Sequence, residues 1–507
     1  MTPTNAASVR PGDAEERAEV VVIGTGAGGA VVAAELAEAG IDVVLLEEGD
    51  HPDRVAPEAP PLVRIGALYR DGGMTGTIGN TFIPVPLGRT VGGTTTVNSG
   101  TCWRTPEEVL LRWEREFGIP SLAGGGLAPE YERIEKAIGA APVPEEILGP
   151  GARLVRRGAE VMGLHTTPLT RNAIDCRGTG VCAFGCPRRA KQSTDVSFVP
   201  RAIRAGARLH VRARVDRVLM EGGRASGVVA TRLDERDRPI GTLRVRAPRV
   251  VVAAGALLTP GLLAASGLAP RGSEVGLHLR IHPASRVVAL FDETVRAWEG
   301  VPQSLQVRDF EGEGIVLQGI WVPPQLLAPT LPGAGPEHEK RMAAVARMAS
   351  FGALISDASE GRVRTIAGRA APWYRMNTAD VRKMQRAISL LSRIYFAAGA
   401  REVYPGVRQM PVLHSVAEAE AIEQLRLRAS DFELMAFHPM GTARMGGDAA
   451  RSVVDPAGRL RGAPGVYVAD ASLFPTSSRL NPQLTIMALA ARIARGMIDE
   501  AAAARAW

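Results

Sequence analysis

Apolar positions along the chain fall into short runs that alternate between strand-like and helix-like spacing. Glu19 to Ile23 (EVVVI) is the compact β-branched run expected of a buried parallel strand. It leads directly into Gly24-Thr25-Gly26-Ala27-Gly28-Gly29, then into Ala30 to Ala39, a stretch of helix formers closed by Gly40. Asp42 to Leu46 (DVVLL) predicts a second strand, ending in Glu47-Glu48-Gly49. Strand-like patterns also cover Arg208 to Leu219 and Arg244 to Val252. Val250 to Ala269 is 20 residues without a charge, enough to span a bilayer. Its Gly255, Pro260, Gly261 and Gly267, and its change from β-branched to Leu/Ala composition, predict strand, turn and helix instead. A last strand pattern, Gly465 to Asp470 (GVYVAD), leads through Asn481-Pro482 into an apolar helix from Leu484.

The first three elements make a βαβ unit, and its glycines sit where a dinucleotide needs them. Gly24 allows the tight turn, Gly26 lets backbone approach a pyrophosphate, and Gly29 lets the helix pack close to the strand. The helix N-terminus offers free N–H groups and a positive dipole end to the phosphates. Glu47, 23 positions after Gly24, is placed to accept hydrogen bonds from an adenosine ribose. These features predict an ADP-containing dinucleotide. Further glycine-rich segments, at Gly88 to Asn98 (GRTVGGTTTVN), Val250 to Gly267 and Gly465 to Asp470, exceed what NAD binding needs and favour FAD.

Composition excludes several alternatives. With 46% apolar and 22% charged residues, the 507-residue chain has the make-up of a globular protein, and four cysteines cannot staple a fold of this size. The net charge of +7 comes from arginines spread along the chain, and aromatics are 5% of residues. No basic patch with interleaved aromatics predicts nucleic-acid binding. The opening MTPTNAASVRPGDAEERAE has no basic stretch followed by an apolar one, so no secretory signal and no transmembrane segment are expected, and the default compartment is the cytoplasm.

The sequence resembles the glucose–methanol–choline (GMC) oxidoreductases, FAD enzymes that oxidise alcohols. The resemblance rests on the βαβ unit, the segment 88–98, Gly255 to Gly267, and the C-terminal HPMGTARMG (438–446) and VYVADASLFPTSSRLNPQLTI (466–486). The last two are similar to segments of long-chain alcohol oxidases and cholesterol oxidases. It implies an α/β fold, with a Rossmann-like FAD-binding domain assembled from 17–110, 190–285 and 430–507. A segment 111–189 would connect to a substrate-binding domain, 286–429, built on an antiparallel sheet with helices. It further implies cofactor contacts from Gly24, Thr25, Gly26, Ala27, Gly29, Glu47, Gly92, Gly93, Thr94, Asn98, Val215, Asp470, Ala471, Asn481 and Pro482. Val97 stands where some relatives carry a histidine bonded to the flavin, so FAD is expected to be non-covalent.

In this resemblance His438 corresponds to the catalytic base and Asn481 to the second catalytic position. Imidazole titrates near neutral pH and can take a hydroxyl proton, whereas an amide can orient the alcohol oxygen but removes no proton. Most of the other histidines read as structural. Cys102, beside Trp103, reads as an inert buried thiol. Cys176, Cys182 and Cys186, three cysteines followed by Pro187, are similar to a 3Fe–4S ligand loop in the catalytic subunit of FAD glucose dehydrogenases; a tight structural loop, or two of the three in a disulfide, is the alternative. The predicted activity is oxidation of a hydrophobic primary or secondary alcohol, with oxygen, a quinone or a cytochrome as electron acceptor. The alternative is a sugar or polyol dehydrogenase wired through the cysteine loop.

Overall fold

The computed structural model describes residues 12–505; the start of the polar opening stretch, residues 1–11, lies outside that range. The β-branched runs form one parallel sheet in the order Val466–Val468, Arg249–Val252, Val20–Ile23, Val43–Leu46, Arg208–His210. The first four strands are buried on both faces or nearly so, which is why they read as continuous apolar runs rather than alternations. Helix Gly29–Glu38 covers the sheet and packs against Phe198–Arg204 and the long C-terminal helix Gln483–Arg505. The charge-free stretch resolves into the strand Arg249–Val252 and the helix Thr259–Ala265. Among the described residues no helix is long and apolar enough to cross a membrane.

Two expected strands prove to be four. Arg208–His210 closes the parallel sheet, Arg212 turns at φ +52°, and Ala213–Glu221 begins a second sheet. Likewise Pro239–Arg246 belongs to the second sheet and Arg249–Val252 to the first, parted at Ala247-Pro248 where proline has no N–H to extend a ladder. Apolar periodicity runs through both breaks, so the pattern alone merges them. The polar residues Ala14–Arg17, read only as part of the polar opening stretch, add an edge strand parallel to Pro239–Arg246.

The middle of the chain builds a six-stranded antiparallel sheet in the order Glu402–Tyr404, Ala284–Leu290, Met348–Ile355, Ile315–Gly319, Leu305–Val307, Thr166–Pro168. Helix Thr378–Ala397, capped by the Asn377 side chain on the Asp380 N–H, packs on it together with Pro150–Val161. One edge strand and one covering helix therefore come from 150–168. Separate cores underlie the parallel and antiparallel sheets. A small third cluster, Ala284, Val316, Leu354 and Leu480 with Trp103 and Met435 against it, joins residues from both halves.

Candidate active site

The glycine loop is built as its spacing predicts. A Cβ on Gly24 would lie 2.4 Å from the Ala253 carbonyl oxygen, and one on Gly29 would lie 2.0 Å from that of Gly24. Both glycines are packing necessities. A Cβ on Gly26 would meet nothing within 4 Å, so the open side of the turn is at Gly26, beside the half-buried Ala27. Gly28, which spacing did not single out, packs on the Ala469 carbonyl at 1.6 Å from a hypothetical Cβ and seats the loop against the C-terminal strand.

Thr25 couples this loop to the second glycine segment. Its hydroxyl donates to Glu47 Oε2 at 2.6 Å and accepts from the Gly92 N–H at 2.9 Å, while its carbonyl accepts from Thr194 Oγ1. A Cβ on Gly93 would lie 3.2 Å from Gly26 Cα, so the two segments face each other across backbone alone, with Thr94 opening the short helix Thr94–Val97. Glu47 is buried, and burial raises its pKa despite donors from Thr25 and Gly49. Three protein donors leave an ionised carboxylate one of its roughly four acceptor sites. An ADP moiety fits this arrangement: open backbone at Gly26, an unfilled acceptor at Glu47, and the start of strand Ala213–Glu221 adjoining it. The Ala213 N–H donates to the Glu47 carbonyl, placing half-buried Val215 two residues further on.

Asp470 serves as a joint. Its carboxylate accepts from the Gly255 N–H, Thr259 Oγ1 and the Ser472 N–H, tying the 250–267 segment to buried Ala471. Asn98 donates to Gln483 Oε1 at 2.5 Å, bringing the second glycine segment to the N-terminus of the helix that follows buried Pro482.

His438 and Asn481, 43 residues apart, meet here. Asn481 Nδ2 lies 3.2 Å from His438 Nε2. Burial holds the His438 imidazole neutral by pushing its pKa down to about 4. On its other side His438 Nδ1 lies 3.2 Å from Nδ1 of His282, a residue that sequence reading did not single out. The two rings meet edge-on at 83°. His282 is fully buried, with its pKa driven well down by burial and then by His438, and its Nε2 lies 2.7 Å from Ser477 Oγ. No local spacing marks His282, because its partner is 156 positions away. A 580 Å³ cavity opens beside Leu480, the residue before Asn481, with Trp103 and Val316 on its apolar wall. Charged pairs line its remainder: Arg104–Glu135, Arg308–Glu311 and Arg479–Glu108.

The cysteine loop differs from the expected cluster site. Among the described residues no three His, Cys, Asp or Glu side chains converge as a metal site, and no cysteine is in a disulfide. Cys182 Sγ accepts from Arg171, and the loop is held by its carbonyls: Cys182 O accepts from Lys191 Nζ and Phe184 O from Arg64 Nε. Lys191, 2% exposed, also donates to Thr96 O and Asn98 O, so it fastens the loop to the second glycine segment. The iron–sulfur expectation from Cys176, Cys182 and Cys186 is therefore withdrawn in favour of the structural loop. Cys102 is buried as expected, and burial pushes its thiol up to about 12.

Comparison with known proteins shows the family and the fold. The GMC oxidoreductase N-terminal family model matches residues 65–284 and the C-terminal one 357–490, and an NAD(P)-binding Rossmann-like model matches 22–56. An uncharacterized GMC-type oxidoreductase of Mycobacterium tuberculosis is 42% identical over 94% of this chain and 75% of its own. The chain belongs to the GMC oxidoreductase family. A GMC-type oxidoreductase of Sinorhizobium fredii is 34% identical over 96% of both chains, and a long-chain-alcohol oxidase of Arabidopsis thaliana is 29% identical over 95% of this chain and 68% of its own. Among solved structures, pyridoxine 4-oxidase from Mesorbium loti superposes with a TM-score of 0.71 at 20% identity, covering 94% of this chain and 99% of that one. Formate oxidase from Aspergillus oryzae gives 0.71 at 18% identity, covering 96% and 98%. This GMC protein is thus an FAD oxidoreductase of small molecules.

Proposed function

We propose that the protein oxidises the CH–OH group of a hydrophobic primary or secondary alcohol, with His438 as the base and Asn481 as the orienting group. The observation that carries this reading is the pair itself. A neutral imidazole presents Nε2 to an amide, and Leu480, the residue before Asn481, lines a cavity together with Trp103 and Val316. An apolar wall favours an alkyl or sterol body over a sugar, whose hydroxyls would lose water there without replacement. The name of the Arabidopsis relatives points the same way.

In this mechanism FAD supplies the two-electron acceptor for the hydride that leaves the carbinol carbon. His438 Nε2 receives the hydroxyl proton, and Asn481 fixes the alcohol oxygen against it. FAD would be held by 17–110, 190–285 and 430–507, with Gly26, Gly93 and Glu47 at the ADP end. The substrate would lie against 286–429. Val97 has no nucleophile, so denaturation releases the cofactor intact. The test is anaerobic titration of the FAD-loaded protein with dodecanol, a sterol, glucose and sorbitol, read by flavin absorbance. Bleaching by dodecanol or the sterol is expected; bleaching by the sugars alone overturns the substrate reading.

A further inference from the structure

Beyond His438 the hydrogen bonding continues for three more groups and ends at solvent. We propose that His282, Ser477 and Ser356 form a proton relay that carries the substrate's hydroxyl proton from His438 out of the site. The inference rests on the proposed role of His438, and it assigns His282 and Ser477 as relay residues rather than packing residues.

The donor count admits two complete registers of protons along the row, and the relay carries it from one to the other. Ser477 Oγ faces the Arg479 N–H at 3.2 Å, the His282 Nε2 at 2.7 Å and Ser356 Oγ at 2.9 Å. A hydroxyl has one proton to give and two lone pairs to accept with. In the first register Arg479 N–H and a His282 Nε2–H donate to Ser477, which donates to Ser356. His282, neutral in its buried position, then has an unprotonated Nδ1, which accepts from His438 Nδ1–H. That leaves His438 Nε2 unprotonated, accepting from Asn481 Nδ2 until an alcohol hydroxyl takes that place. Every group in the row is satisfied in this register.

Moving each proton one hydrogen bond outward gives a second complete register. His438 Nε2 takes the alcohol proton and Nδ1 gives its own to His282 Nδ1. His282 Nε2 gives its proton to Ser477, Ser477 to Ser356, and Ser356 to solvent. One proton enters and one leaves, while the hydride pair goes to FAD. The register is restored on reoxidation: Nε2 passes its proton to an acceptor such as oxygen or a quinone, which takes up protons with its electrons, and the row refills from solvent. Ser356 and Ser477 line a 420 Å³ polar cavity with Asp357, Lys383, Glu313 and Arg280, roomy and polar enough for water. This cavity adjoins the one beside Leu480, sharing Glu108, Gly312, Gly314 and Arg479 with it.

The charges around the row leave it able to conduct. Asp357 accepts the backbone N–H of Ile281 and His282 and the Tyr374 hydroxyl, and burial raises its pKa to about 6. Arg280 is engaged with Glu360 and the Ser359 carbonyl, Lys383 with the Ser356 carbonyl, and Arg479 with Glu108. Among the described residues no carboxylate touches either imidazole ring, so none of them supplies a fixed counter-charge that would trap an imidazolium.

The test has two arms on the full-length FAD-loaded protein. Without substrate, ¹⁵N-histidine NMR should read His438 as Nδ1–H and His282 as Nε2–H; the opposite tautomers, or a charged ring at pH 7.5, overturn the relay. With dodecanol, anaerobic stopped-flow in weak buffer with a pH dye should show a proton reaching bulk solvent in step with flavin bleaching. Ser477→Ala should slow that release about tenfold, the scale set by losing one hydrogen-bonded link, and Ser477→Thr should restore it. Parent-like release in Ser477→Ala, or a parent that keeps its proton, sinks the relay while leaving His438 as base. Failure of dodecanol to bleach any variant counts instead against the substrate reading, and the tautomer arm still decides the relay.

Discussion

Two regions carry the chain's most reactive side chains, and they are organised in opposite ways. At the His438 end, ring nitrogens face one another and an amide, with backbone playing a minor part. In the loop 176–186, the thiols stay apart, and the contacts are made by backbone carbonyls on buried Lys191 and Arg64. The first arrangement exposes reactive atoms to a ligand, while the second uses the chain as a clamp. Reactive residue types close in sequence do not make a site; convergence of their reactive atoms does.

The sharpest way to break this contrast is at the base. His438→Ala should keep FAD, because no cofactor-binding segment depends on the ring, yet slow alcohol-driven flavin reduction about 10²–10⁴-fold, the usual contribution of a positioned acid–base group. Stopped-flow absorbance measures it. Lys191→Met attacks the other region: it leaves the carbonyls of Thr96, Asn98 and Cys182 without their donor, at about 1–3 kcal/mol per unsatisfied buried group. Its urea midpoint should fall and its FAD should dissociate more readily, with turnover of the FAD-saturated protein little changed.

Acid should separate the regions more gently. The folded pKa of His438 is depressed to about 4 against an unfolded value near 6.5, and that of His282 is depressed as well. Between those pH values the unfolded chain binds protons that the folded chain refuses, so stability falls as pH drops from about 6.5 and the loss from His438 is complete below about 4. His438→Asn should flatten the dependence of urea midpoint on pH in that window. Cys182→Ser should have the smallest effect: flavin reduction within about twofold of the parent, since the group replaced makes one part-buried hydrogen bond to Arg171, worth roughly 1 kcal/mol, and serine can accept in its place. Iron analysis of the parent protein should find none; stoichiometric iron would reinstate the cluster.

The parallel half was legible because each of its devices is local. Strand, glycine turn, helix and acid lie within 30 residues, and a strand buried on both faces announces itself as an apolar run. The antiparallel half was not, since Ala284–Leu290 is buried throughout and includes Ser285 and Arg286, which break any alternation. His438 and Asn481 were found through motif resemblance, and their meeting is tertiary. His282 was missed for the same reason: nothing at Arg280 to Pro283 distinguishes a ring that packs from one that faces a partner far along the chain. The cysteine spacing misled because spacing states how near the residues are, not where their sulfurs point.

The central claim, that His438 removes the proton and Asn481 only orients, is tested most directly by the pH dependence of anaerobic flavin reduction in three proteins. With an imidazole of pKa about 4, the parent should give a rate that is flat from pH 6 to 9. Asn481→Ala should be slower with the same flat profile. His438→Ala should start far lower and climb about tenfold per pH unit as hydroxide replaces the missing base. A His438→Ala variant that reduces its flavin at the parent rate, or with the parent's flat profile, would contradict the account.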